Sequence, residues 1–289
     1  MQVIPQIAVL ITCHNRKENT LKCLESVYSQ RGIGEIFKIT VFLTDDGSSD
    51  GTASAVIEKF QDVHIIKGNG NLFWAGGTRE AWKEAIRSNI SIDYYLLLND
   101  DVVLFDKAIE SLLKDKEYIN TDEIILISST VDATNNTISY GGRILLNNHN
   151  MKTKKVIPNN KSPQLCHMGN GNIMLISGTV YSRIGMLSER YTHGIADYEY
   201  TLRARKAGIP TYVGSHAGGK CFNDHGNNWE KWSNVPLKKR IAQLYDVKGF
   251  AYKEYLYFIK SYFPVYLPKA WALSWLKTFF PFFWKWFKK

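Results

Sequence analysis

Lys38-Ile39-Thr40-Val41-Phe42-Leu43-Thr44-Asp45-Asp46-Gly47-Ser48-Ser49-Asp50-Gly51-Thr52 decides the fold class. A β-branched, apolar run stops at two carboxylates, turns at two glycines and enters a helical pattern over residues 52–60. The same succession recurs on both sides. β-rich runs at 7–13, 63–67, 94–98 and 123–127 alternate with helical patterns near 17–29, 78–88 and 107–114. This alternation predicts an α/β architecture: a mostly parallel sheet with helices on both faces. In such sheets ligands bind beyond the carboxyl ends of the strands, so the polar residues that follow each strand are where chemistry is expected.

Further along, the pattern loosens after Val131 into a loop-rich stretch. It recovers in an apolar run at 173–177 and a helical segment near 197–207. From Tyr255 onward the chain is crowded with Trp, Phe and Tyr, carries six lysines and has no acidic residue. The expected division is one α/β domain over 1–235 and a helical, aromatic and basic tail over 236–289.

Composition narrows the function classes. Hydrophobic residues at 45% and charged residues at 22% suit a folded globular chain and argue against disorder and against a polytopic membrane protein. The excess of 36 Lys and Arg over 27 Asp and Glu favours an anionic partner. Cys13, Cys23, Cys166 and Cys221 show no zinc spacing and read as reduced thiols. The apolar start of the chain ends at Thr12 and lacks a basic segment, which reads as a first strand and not as a signal peptide. A cytoplasmic catalytic part is expected.

Three strand ends carry unusual polarity. Asp45 closes one strand where its carboxylate could accept from a ribose or base, although the same turn could equally be a helix cap. Gly68-Asn69-Gly70-Asn71-Leu72-Phe73-Trp74-Ala75-Gly76-Gly77 follows the third strand. Its glycines, Gly76 among them, permit close backbone approach to a ligand, while Asn71 and Trp74 offer an amide and a stacking face. Asn99-Asp100-Asp101 follows a fully apolar strand. Adjacent carboxylates there suit a hard divalent cation, Mg²⁺ or Mn²⁺, or else a solvated turn.

Thr12–Arg16, Asp45-Asp46-Gly47-Ser48, Asn71 to Gly77, Leu98-Asn99-Asp100-Asp101 and Asp197 to Gly208 occur in the order found in glycosyltransferase family 2, which the chain resembles from Ile7 to Trp229. The resemblance implies a GT-A fold and an inverting displacement on a nucleotide diphosphate sugar, UDP- or dTDP-linked. It implies that Thr12, Asn15 and Asp45 line the nucleotide pocket, and that Asn99-Asp100-Asp101 is the metal-binding D-x-D element, with Asp100 in the donor site and Asn99 either a neutral metal ligand through its amide oxygen or a contact to the ribose. Asp101 falls in the metal-ligand position and Asp197 in that of the catalytic base. Two positions depart from the family pattern: Asn99 replaces the first Asp of its D-x-D element, and Ala196 replaces the Glu before Asp197, with Glu199 near enough to be a substitute. A further metal ligand is expected at His225, with His216 as the other possibility. His193, four residues before Asp197, could hydrogen-bond a phosphate or sugar hydroxyl, or be structural.

In the tail, lysines among the aromatics exclude a simple span of about 20 apolar residues, and Pro264, Pro268 and Pro281 interrupt long helices. Either the aromatics meet an anionic membrane surface or they pack back onto the domain. A lipid-linked saccharide acceptor, used at the inner face of the cytoplasmic membrane in polysaccharide, O-antigen or capsule assembly by a rhamnosyltransferase-like enzyme, fits the first reading. The competing classes are a catalytically silent GT-A domain, motivated by Asn99 and Ala196, and a nucleotidyltransferase, whose basic glycine-rich phosphate loop is missing after the first strand. A nucleic-acid binder ranks last because no recognition motif is present, and no nucleic-acid partner is expected.

Overall fold

A computed structural model of the chain describes residues 4–221 and 235–281. The first half alternates as β1 (Gln6–Cys13), α1 (Lys17–Tyr28), β2 (Lys38–Asp45), α2 (Thr52–Lys59), β3 (His64–Lys67), α3 (Phe73–Arg87), β4 (Tyr94–Asn99), β5 (Val103–Leu104), α4 (Ala108–Ile119) and β6 (Ile125–Val131). The second half holds β7 (Gly142–Leu145), β8 (Thr153–Lys155), β9 (Gln164–Cys166), β10 (Met168–Gly169), β11 (Ile173–Ser177), α5 (Gly178–Ile184), α6 (Ala196–Lys206) and β12 (Thr211–Lys220). Three helices follow: α7 (Leu237–Tyr245), α8 (Tyr252–Tyr262) and α9 (Leu267–Phe279).

Among the described residues the main sheet runs β3-β2-β1-β4-β11-β6-β12-β5, with β9 beside β12. The strands β1 to β4 are mutually parallel, and their register aligns Thr12 with Thr44 on one side and Asn99 on the other. Their carboxyl ends therefore share one edge. Because β11 runs antiparallel to β4, with Ile173 opposite Leu98, the residues just before β11 arrive at that same edge.

Both faces of the sheet are buried, as a parallel sheet covered by helices requires. Ala8, Leu10, Phe42, Tyr95 and Leu97 point into one core, and Ile7, Val9, Ile11, Val41, Leu43, Leu96 and Leu98 into the other. In the first core Trp82 of α3 is fully buried, its ring 4.9 Å from that of Tyr95 and 5.9 Å from that of Tyr200. The second core takes Leu24 and Val27 of α1, Val56 of α2 and Ile109 and Leu112 of α4.

The C-terminal segment divides between the two expected behaviours. Phe258, Ile259, Phe263 and Ala270 are buried in the first core with the sheet residues. Each fully buried aromatic of this kind contributes about 2–3 kcal/mol, so α8 and the start of α9 are fixed to the α/β body. Glu254 of α8 adds a polar tie, accepting from Thr192 N at 3.0 Å and Thr192 Oγ1 at 2.5 Å. By contrast Val265, Trp271, Phe279 and Phe280 are exposed. Pro264 opens a short 3-10 turn and Pro268 sits in the first turn of α9, positions where a missing N–H costs little. Among the described residues no helix is long and apolar enough to cross a membrane. Phe282, Phe283, Trp284, Trp286 and Phe287 lie outside the described residues.

Candidate active site

The shared strand edge opens into a cleft of about 540 Å³. Its walls come from the ends of β1 and β4, the Gly70–Trp74 turn, the Asn170–Asn172 turn before β11, the residues 193–198 that lead into α6, and Lys248 between α7 and α8. Of the residues expected from the sequence, Thr12, Trp74, Asn99, Asp100, Asp101 and Asp197 line this cleft, as does His193; Asn15, Asp45, Asn71 and Gly76 do not.

Those four sit in the surrounding framework. Asp45 is buried and accepts from Ser48 N at 2.9 Å, closing the turn after β2. Asn15, at φ 50°, braces the same turn by accepting from Ser49 N at 2.7 Å and donating its own N–H to Ser48 Oγ at 2.9 Å. Asn71 is exposed, its N–H bonded to Asn69 Oδ1 at 2.9 Å. Gly76 and Gly77 lie inside α3, which begins at Phe73 and not near residue 78 as the pattern predicts. The physical reason is Asp46. Its carboxylate accepts from Gly70 N at 2.8 Å and from Leu72 N and Phe73 N at 2.9 Å each, satisfying amides that open the helix. The glycines then allow α3 to lie directly on β1, since a Cβ on Gly77 would fall 2.3 Å from Thr12 Cγ2.

At the end of β4, Asn99 Oδ1 and Asp100 Oδ2 are buried without a hydrogen-bond partner. Burial pushes the Asp100 carboxyl up to about 7, with Asp101 adding to the rise and Arg16 opposing it. Arg16 Nη1 lies 2.9 Å from Asp101 Oδ2 and 3.3 Å from Asp100 Oδ1. Asp101 Oδ1 also receives Cys221 Sγ at 3.6 Å. One unpartnered amide oxygen and one unpartnered carboxylate oxygen beside a second carboxylate, Asp101, are oxygen donors of the kind a hard divalent cation takes, although among the described residues no three His, Cys, Asp or Glu side chains gather as a metal site. His216 on β12 has Nδ1 2.9 Å from Ser215 Oγ and does not line the cleft. His225 lies outside the described residues.

Across the cleft Asp197 stands in the first turn of α6. Its Oδ2 accepts from Gly171 N at 3.0 Å and its Oδ1 from Tyr198 N at 2.7 Å. Burial raises its pKa above the ordinary carboxylate range, against the lowering effect of those two amides. The residue that turns the chain into this helix, Ile195, has φ 69°. A β-branched residue in the left-handed region costs of order 1–3 kcal/mol and persists where surrounding contacts hold it. Gly171 also admits Trp74, whose ring carbon Cζ2 would be 2.6 Å from a Cβ there. Glu199 does not take the place of the acid missing at Ala196. It is bound to Arg203 at 3.1 Å and to the Tyr262 hydroxyl at 2.9 Å, and it does not line the cleft.

Several cleft residues have no distinct signal in the sequence. Arg16 and Asp46 stand inside recognisable motifs, yet their ion pairs and amide contacts depend on partners from other elements. Tyr140 and Lys248 reach the cleft from segments with no motif, whereas Asn170, Gly171 and Asn172 belong to Gly169-Asn170-Gly171-Asn172, a polar, glycine-bearing run before an apolar strand whose glycines are expected to leave room for a sugar or acceptor. His193 is exposed at the cleft, and partial desolvation by the surrounding walls, then Lys248 and Arg16, hold it below its usual pKa. The four cysteines are all buried, and burial pushes the thiols of Cys13, Cys23 and Cys166 up, Cys166 to about 12, so these three are poor nucleophiles.

The description "Glycosyl transferase family 2" matches residues 8–185. The fold is similar to that of the mannosyltransferase PcManGT from Pyrobaculum calidifontis, solved in complex with GDP-Man and Mn²⁺, at a TM-score of 0.53 and 14% identity over 83% of this chain and 62% of that one. It is also similar to S. aureus TarS 1–349, at a TM-score of 0.51 and 12% identity over 83% of this chain and 65% of that one. The chain thus spans less than two thirds of either structure's length. No curated protein matches it. With the family match covering more than half of its 289 residues, and with the sheet, helices and strand-edge cleft of a GT-A fold, the chain belongs to glycosyl transferase family 2.

Proposed function

We propose that the chain is an inverting, metal-dependent glycosyltransferase that moves a sugar from a nucleotide diphosphate to a hydroxyl of a lipid-linked saccharide. One observation carries this reading: the unpartnered Asn99 and Asp100 oxygens and the Asp197 carboxylate face a single cleft. Asn99, Asp100 and Asp101 would hold Mg²⁺ or Mn²⁺, which when bound offsets charge on the leaving diphosphate. Asp197 accepts the proton of the attacking hydroxyl, its raised pKa making it a stronger base than an ordinary carboxylate. Trp74, lying against Gly171 and near Asp197, offers the sugar an apolar wall. A single base serves a direct displacement, so the anomeric configuration inverts. This differs from the two-carboxylate retaining chemistry of glycosidases.

The acceptor and the membrane rest on the tail. Val265, Trp271, Phe279 and Phe280 are exposed while Phe258 and Phe263 anchor the segment in the core, so α9 and the residues that flank it would offer exposed aromatic rings to a headgroup layer and Lys269 to its anionic phosphates. The protein would then work at the cytoplasmic face of the membrane in cell-surface polysaccharide assembly. The donor is proposed to be a UDP or dTDP sugar.

The test is a thermal-shift panel of UDP, dTDP and GDP sugars with and without Mn²⁺. Metal-dependent stabilisation by one nucleotide class, lost in Asp101→Ala, is the expected result. Stabilisation by a sugar nucleotide with no turnover on any acceptor would favour the silent binding domain that Asn99 and Ala196 suggest; no stabilisation by any donor would contradict the proposal.

A further inference from the structure

We propose that Lys248, carried on the C-terminal helical segment beyond the family match, binds the diphosphate of the donor. The proposal rests on the transferase reading and adds to it a contact from outside the α/β domain.

Lys248 lines the cleft, with its ammonium 5.7 Å from the centre of the Phe73 ring. Phe73 is the residue whose amide is bound by Asp46 at the opening of α3, so Lys248 lies over the turn that leads from the β3 strand end into the site. Its backbone is held in place. Asp246 Oδ1 accepts from Lys248 N at 2.8 Å, and the Asp246 carbonyl accepts from Gly249 N at 3.0 Å and Ala251 N at 2.9 Å. A Cβ on Gly249 would fall 2.1 Å from Gln243 O, so the link between α7 and α8 is tightly packed. In the first turn of α8, Glu254 ties that helix to Thr192, beside the cleft residue His193. The lysine is exposed, but the chain that carries it is built against the site.

Charge gives the position its chemistry. Asp46, Asp100, Asp101 and Asp197 all face the cleft, and a diphosphate would bring further negative charge. Arg16, the other strong cation there, is shared between Asp100 and Asp101. Lys248 has no carboxylate within ion-pair distance among the described residues, so its charge is available to a ligand. An ammonium with three donors is suited to a phosphate oxygen as a point charge. The phosphate of a lipid-linked acceptor is the other source of the same chemistry; the unpartnered Asn99 and Asp100 oxygens in the same cleft, which suit a cation on a diphosphate, favour the donor, and the prenyl diphosphate arm of the test separates the two.

The test compares the full-length chain with Lys248→Met and Lys248→Arg by calorimetric titration in Mn²⁺, using UDP, dTDP and GDP, the matching nucleosides, and a short-chain prenyl diphosphate. The expected result is that Lys248→Met weakens nucleoside diphosphate binding roughly tenfold, leaves nucleoside binding unchanged, and that Lys248→Arg restores most of the loss. Unchanged nucleoside diphosphate binding in Lys248→Met overturns the proposal. So does a loss confined to the prenyl diphosphate, which would assign the lysine to the acceptor. If the unaltered protein binds no nucleoside diphosphate, the transferase reading falls and this proposal with it; if it binds one and the Met variant binds it equally, only this proposal falls.

Discussion

Arg16 Nη1 lies 2.9 Å from Asp101 Oδ2, so the guanidinium occupies one side of the carboxylate assigned to the cation. The arginine is nearly half exposed, and an ion pair of that kind is worth at most about 1 kcal/mol. A divalent ion can therefore displace it. Arg16→Met should tighten nucleotide-free Mn²⁺ binding by roughly twofold to fivefold, because the competing cation is removed. Asp101→Ala should abolish detectable binding. Titration followed by electron paramagnetic resonance checks both; looser Mn²⁺ binding in Arg16→Met would mean that the arginine orders the site and does not compete for it.

The Asp197 carboxyl, partly enclosed in the cleft wall, gives a second prediction. Its pKa is raised by burial, and only the ionised form can take a proton, so the rate must fall as pH drops through the raised value. The acid limb of kcat/KM should lie above the ordinary Asp range near about 3.9. The linkage to stability has the opposite sense: the native state holds this proton more tightly than the unfolded chain. The stabilisation is therefore full below the unfolded value and lost as pH rises through the folded one. A pH–rate profile whose acid limb sits at the ordinary carboxylate value would remove Asp197 from the role of base.

Gly77→Ala tests the contact that sets α3 on β1. The added Cβ would lie 2.3 Å from Thr12 Cγ2, and forced overpacking of this kind costs about 1–3 kcal/mol. A lower Tm is expected, with partial recovery in the double variant Thr12→Ser, Gly77→Ala, which deletes the methyl group. Equal Tm values for Gly77→Ala and the unaltered protein would show that the helix does not rest on Thr12 as described.

The exposed aromatics of α9 predict membrane binding without a stability role. Trp271→Ala combined with Phe279→Ala should leave Tm nearly unchanged, since both side chains are exposed, yet reduce sedimentation with phosphatidylglycerol vesicles severalfold. Vesicle binding that is equal in the variant and the unaltered protein would contradict the interfacial reading.

The strands that carry the site were legible because each is an apolar run closed by polar residues, and β1, β2, β3 and β4 all begin or end within a residue of the pattern. What the pattern hides depends on distant partners. The early start of α3 is fixed by Asp46, which is remote in sequence from Leu72 and Phe73, so Gly76-Gly77 reads as loop when only neighbours are considered. β12 is masked by Gly214, Gly218 and Gly219; a Cβ on Gly218 would meet Ser128 Oγ at 2.3 Å, so close strand packing excludes the β-branched residues that would mark a strand. In the site, Asp197 and Asn99-Asp100-Asp101 stand out through motif order, whereas Lys248 arrives from the tail, where aromatic composition points outward to a membrane and not inward to a cleft. Phe258 and Phe263 are hidden by the same composition, because burial of an aromatic run is decided by what the sheet leaves uncovered.

The most direct measurement is nucleotide diphosphate release by Asp197→Asn, with donor binding followed in parallel. Asn keeps the size of Asp but turns one acceptor into a donor facing the amide of Gly171 or Tyr198, so a loss of about 1–2 kcal/mol in stability is expected and is monitored by Tm. The account predicts that turnover falls roughly 10²- to 10⁴-fold while donor affinity stays within a factor of about three of the unaltered protein. Turnover that survives in a folded Asp197→Asn variant would contradict the assignment of Asp197 as the base and with it the mechanism proposed for this cleft.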